Sequence, residues 1–196
     1  MDAAVDRAII CLGKYVRKKV LQAWEDEMSN VRSQAIKNLF VQSIYSRLDT
    51  DEQLLRREIL NQIIQKNIPI DVCQAAKVIG MSLNRAEEVK LALQVKKAIV
   101  LNTQGRVKFS YPVSALPTCH QVTLADGRKF HAMCAIDAIG SSFTFGGDVI
   151  VESKCYTCGK PIKVIVQAKK EIISDPQGIY VLHVDLNKYE NWAVDT

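Results

Sequence analysis

The texture of this chain changes at Pro112, and that change restricts the fold more than any other feature. Before it, through about Lys97, hydrophobic side chains recur every three or four residues, the spacing that lines one face of a helix. After it, they come in short alternating runs broken by Pro, Gly and Asp, the spacing of strands with one buried face. Helices followed by strands make an α+β chain. Residues 1–49 read as an N-terminal helical extension. Val5, Ile9, Val16, Val20 and Trp24 share one face, and Val31, Ala35, Leu39, Phe40, Ile44 and Leu48 another, with a bend at Met28-Ser29-Asn30. Such helices pack on the rest of the chain or pair two copies into a homodimer.

Residues 50–111 read as a winged-helix-like domain. Thr50 and Gln53 have capping-box spacing at the start of a helix whose apolar face is Leu54, Leu55, Ile59, Ile63 and Ile64, and Asn67-Ile68-Pro69 stops it. Asp71, with Gln74, opens a second helix running to Gly80, and Asn84, with Glu87, opens a third through Lys97. Two strands between Ala98 and Tyr111 turn at Asn102–Gly105, which completes the winged-helix order. The third helix carries Arg85, Glu87, Glu88, Lys90, Lys96 and Lys97. Its early glutamates would face phosphates where a reading helix places basic or amide groups, so DNA is not the expected partner.

Residues 112–196 read as a small, mostly antiparallel sheet domain with one short helix. Strands are expected at His120–Leu124, Lys129–His131, Val149–Ser153, Ile162–Val166 and Gly178–Leu186, and the helix at Met133–Ile139. A hydrophobic content of 48% supports packed cores and argues against global disorder. No run of about 18 apolar residues is present, so no membrane span is expected. The start lacks the pattern of a secretory signal, which points to the cytoplasm. A net charge of +5 fits an ordinary solvated basic surface.

In a reducing compartment, cysteines are fillers, metal ligands or nucleophiles rather than disulfides. Four of the six, Cys119, Cys134, Cys155 and Cys158, fall within the sheet domain. Cys134 and Asp137 stand three apart, so in a first helical turn thiol and carboxylate lie side by side. The helix dipole favours the thiolate and the carboxylate opposes it, so a proton is shared between them. That pairing suits a soft metal plus proton delivery, although spacing alone favours a buried filler beside a polar helix residue. Cys155-Tyr-Thr-Cys158-Gly159 is a metal knuckle or redox pair; zinc would need further ligands from Cys119, His120, His131 or Cys134. His183 reads as strand packing. No phosphate-binding glycine loop, HExxH motif or hydrolase arrangement occurs.

The stretch from Asp126 to Asp137, with Cys134-Ala-Ile-Asp137 at its end, then Val151-Glu-Ser-Lys-Cys155 and Gly159-Lys-Pro161, resembles the alkylmercury (organomercurial) lyase family. The resemblance covers roughly residues 50 to 196, and that family's winged-helix-like domain is similar to the stretch ending at Tyr111. It implies an enzyme that binds an organomercurial through thiolates and cleaves the carbon–mercury bond by protonolysis. Cys134 and Asp137 match its catalytic residues, and Cys155 a cysteine with a structural role. Cys134, Cys155 and Cys158 are the metal-binding candidates. No cofactor is required; Hg(II) is the bound product, passed to a mercuric reductase, and zinc is the other ion the CxxC fits.

Two departures stand out. The family's second catalytic cysteine would follow directly after Thr196, and none lies between 159 and 196, so weak turnover is expected. Cys158 replaces what is usually a non-thiol residue. The alternatives are a metal-responsive winged-helix DNA-binding regulator and a zinc-stabilised interaction module.

Overall fold

The computed structural model describes residues 9–10, 44–167 and 171–181. Among them are four α-helices: α1 Thr50–Lys66, α2 Val72–Val78, α3 Leu83–Val95 and α4 Ala135–Phe145. None is long and apolar enough to cross a membrane.

The cap of α1 is one residue earlier than the sequence suggested. Asp49, not Thr50, is the N-cap; its carboxylate accepts from the Glu52 N–H at 2.9 Å, and Glu52 Oε2 accepts from the Asp49 N–H at 2.8 Å. Both pairs have capping-box spacing, and the charged one prevails because a carboxylate is the stronger acceptor at the positive end of a helix. The helix ends where Asn67 turns left-handed, with φ 52°. Asp71 caps α2 as expected, accepting from the Cys73 N–H at 2.8 Å. The start of α3 also needs correction: Ser82, not Asn84, is its cap, accepting from the Arg85 N–H at 3.3 Å. The earlier start adds Leu83 and Asn84 to the helix, which buries Ala86, Val89 and Leu93.

Eight strands form one sheet with every pairing antiparallel, in the order β2-β3-β4-β6-β5-β7-β8-β9. They are β2 Ile99–Leu101, β3 Val107–Ser110, β4 Val113–Ser114, β5 Gln121–Leu124, β6 Lys129–Ala132, β7 Val149–Lys154, β8 Pro161–Val166 and β9 Ile172–Asp175. The β2–β3 hairpin joins the C-terminal strands through β4, a two-residue strand that periodicity cannot reveal. β9 was likewise not anticipated. A separate pair links β1 Ile9–Ile10 to β10 Tyr180–Val181, where a helix had been expected at Ile9; both residues are β-branched, which suits a strand. The rest of the expected N-terminal helices, and the expected strand beyond Val181, lie outside the described residues.

Alternation decides which face of the sheet is buried. Val122, Leu124, Phe130, Ala132, Val149, Val151, Ile162, Val164 and Val166 are all buried, with Ala135 and Ala138 of α4 also in the core. The Phe130 and Phe145 rings lie 5.4 Å apart, tying the end of α4 to β6. On the helical side Leu55, Ile59 and Ile63 are completely buried. Removing each of these side chains from water contributes about 1.5–3 kcal/mol. Cys134, where α4 begins, is thereby held at one end of the sheet.

Candidate active site

β6 ends at Ala132, and two residues later the chain enters α4. The Met133 N–H donates to the Pro112 carbonyl at 3.2 Å, anchoring this junction against the segment before β4. Cys134 is therefore the N-cap of α4, with extended backbone at φ −144° and ψ 176°, rather than a residue inside the first turn. Its sulfur accepts from the Asp137 N–H at 3.4 Å, while its S–H donates to Asp137 Oδ2 at 3.1 Å. Asp137 is held in turn as its carbonyl accepts from Ser141 Oγ at 2.8 Å. The structure brings Cys134 and Asp137 together as the spacing suggested.

The balance of protonation differs from expectation. Burial, and next the Asp137 charge, push the Cys134 thiol up to about 12. The N–H groups of Asp137 and Ile136 pull the other way without prevailing. The resting group is a thiol aimed at a carboxylate. The helix start alone does not make it a thiolate, because removing the sulfur from water penalises charge more strongly than the orphan N–H groups favour it.

Tyr111 is a neighbour of the candidate site that periodicity missed. It is buried, and its phenol is held above the ordinary range first by burial and then by the nearby Asp137 and Cys134. Its carbonyl accepts a short hydrogen bond from the buried Arg56 guanidinium. Burial lowers Arg56 to about 10, and its Nε has no hydrogen-bond partner. No local signal connects Arg56 in α1 with Tyr111 after β3; only the packing of α1 on the sheet does.

The CxxC lies within the β7–β8 turn. Cys155 is buried in the core, and Cys158 is exposed. The turn closes through Gly159 N–H to the Cys155 carbonyl and Cys155 N–H to the Lys160 carbonyl, each at 2.8 Å. Gly159 sits at φ 67°, a conformation that suits glycine. Cys134, Cys155 and Cys158 are not gathered into one centre: among the described residues, no three His, Cys, Asp or Glu side chains converge to hold a metal. His120 is buried, with Nδ1 2.8 Å from Ser153 Oγ and Nε2 3.4 Å from the exposed Cys119 sulfur. His131 Nδ1 lies 3.0 Å from the Thr118 carbonyl. His183 lies outside the described residues.

Residues 113–196 match the family described as MerB, alkylmercury lyase. The alkylmercury lyase of Bacillus cereus is 33% identical over 90 residues, which cover 46% of this chain and 40% of that protein. The alkylmercury lyase of Staphylococcus epidermidis is 29% identical over 117 residues, 60% of this chain and 52% of that one. The matched segments thus span about half or less of the length of these relatives. Among solved structures, the mercury-bound form of MerB2 has a similar fold, with a TM-score of 0.54, 24% identity and coverage of 68% of this chain and 64% of that one.

Proposed function

Residues 113–196 belong to the alkylmercury lyase family, and from that premise we propose that Cys134 binds an organomercurial cation and Asp137 supplies the proton that cleaves its carbon–mercury bond. The observation that carries this reading is the 3.1 Å contact from the Cys134 S–H to Asp137 Oδ2, within the matched segment. A soft thiolate is the natural ligand for a soft cation. As sulfur takes R–Hg⁺, its proton passes to Asp137 Oδ2. The carboxylic acid then protonates the carbon bound to mercury, R–H leaves, and Hg(II) stays on the sulfur. The electron pair of the carbon–mercury bond becomes the new C–H bond, which leaves mercury as a thiolate-bound cation with an open position that a second thiolate must fill. Among the described residues Cys155 and Cys158, which lie at the same end of the sheet, are candidates for it, as is an added small thiol.

The reading assigns the chemistry to residues 112–196 and a supporting role to the winged-helix-like segment 50–111. Action in the cytoplasm and transfer of Hg(II) to a mercuric reductase rest on the family resemblance. Neither the regulator nor the zinc-module alternative is favoured by the family matches.

The test is gas chromatography of benzene released from phenylmercury with excess small thiol. Cys134→Ala is expected to lose productive binding, whereas Asp137→Ala retains the organomercurial and fails to release benzene. Rapid release unaffected by Cys134→Ala would refute the assignment.

A further inference from the structure

The antiparallel order gathers sulfur at one end of the sheet. Gln121 pairs with both His131 and Glu152, and Lys154 pairs with Pro161, so the start of β5, the end of β6, the end of β7 and the start of β8 lie together. Cys119, Cys134, Cys155 and Cys158 extend from those strand ends. Of these, Cys119 has a partner that the lyase chemistry leaves unused. Its exposed sulfur lies 3.4 Å from His120 Nε2, while the other ring nitrogen lies 2.8 Å from the buried Ser153 Oγ. The pair is thus a reactive group beside an imidazole that a third residue orients, the arrangement found where a thiol is meant to react or ligate.

We propose that Cys119 and His120 form a sulfur–nitrogen site that accepts a soft metal cation, Hg(II) in the setting of the lyase function. The choice of mercury rests on that function, whereas the site rests on its own geometry. With the thiol proton directed at Nε2, the ring proton belongs on Nδ1, donated to Ser153 Oγ, and Nε2 presents its lone pair toward the sulfur. On binding, the Cys119 S–H bond breaks, the sulfur electron pair goes to the metal and the proton leaves to solvent. Nε2 fills a second coordination position and Nδ1 keeps its proton. No electron is transferred. Ser153 holds the imidazole, so the thiol, carried on an exposed residue, is the partner that must turn about its Cα–Cβ bond to admit the ion.

The test titrates the full chain with mercuric chloride, without a competing small thiol, and follows the His120 ring nitrogens by ¹⁵N NMR. Hg(II) is expected to shift Nε2 while Nδ1 remains protonated, in both the parent and Cys134→Ala. Cys119→Ser, an exposed substitution, should abolish that shift and release the metal held there. Ser153→Ala should keep the fold and weaken retention about tenfold or more, the usual consequence of losing a residue that orients a histidine ligand. An unshifted Nε2, or the same shift and retention in Cys119→Ser, would overturn the proposal. Benzene release decides the lyase function and the nitrogen shift decides this site, so failure of one is told apart from failure of the other.

Discussion

Cys134 occupies a position that Ser, Thr, Asp or Asn usually takes, and the residue three places on sets its chemistry. Asp137 both accepts the thiol proton and repels the thiolate. Asp137→Asn should therefore bring Cys134 closer to an ordinary thiol and speed its alkylation by iodoacetamide at pH 8, about tenfold for each unit its pKa falls. Peptide mapping by mass spectrometry isolates Cys134 from the other cysteines; an unchanged rate would contradict this account. His120 makes a separate prediction. Burial holds it at about 4, against about 6.5 for an unfolded histidine. Between those values the unfolded chain binds a proton that the native protein does not, so stability should rise with pH across this window. The contribution is about 3 kcal/mol at most, fully present above the unfolded value and lost below the folded one. Urea midpoints at several pH values would measure it. His120→Gln should flatten the slope, and a slope equal to the parent's would count against the assignment.

At the scale of elements, the caps separate competing residues cleanly. Asp49→Ala should cost about 1 kcal/mol of stability, since it removes the acceptor for the Glu52 N–H, while Thr50→Ala should cost little. Thermal or urea unfolding of the two variants decides between the caps, and equal losses would argue against the Asp49–Glu52 box. The surface of α3 bears on the DNA-binding alternative. Arg85 contacts Asp51 at 2.8 Å and Glu88 at 2.9 Å, Lys90 pairs with Glu87, and Lys96 reaches the buried Glu52 at 2.6 Å. These bases already have acidic partners, so phosphates would have to compete for them. Binding to random DNA near 150 mM salt should be no tighter than roughly 10⁻⁴–10⁻⁶ M. Nanomolar binding to one sequence by fluorescence anisotropy would overturn the prediction.

For the whole molecule, the continuous sheet carries the main consequence. One cluster of buried residues runs from Leu48 through α1 and α3 to Val166 in β8. Amides in α1 and β7 should therefore open with the same free energy in native-state hydrogen exchange, and a large difference would mark residues 50–111 as an independent unit. Much of this architecture was legible beforehand. Periodicity alone identified α1 and the alternating strands around Phe130 and Val151, because burial of one face imposes a repeat that survives in the residue order. The spacing of Cys134 and Asp137 placed the two candidate side chains within reach, because a helix start is local geometry. Tertiary structure decided the rest. It selected Asp49 over Thr50 and Ser82 over Asn84 where neighbouring polar residues offered competing caps. It merged the β2–β3 hairpin with the later strands through two residues too few to show a period. It also placed the Tyr111 phenol where the Asp137 and Cys134 charges act on it, and Ser153 against His120, arrangements between chain segments distant in sequence that no local pattern records. The protonation of Cys134 belongs to the same class: residue order places it at a helix start, but only packing determines how much water remains to support a thiolate.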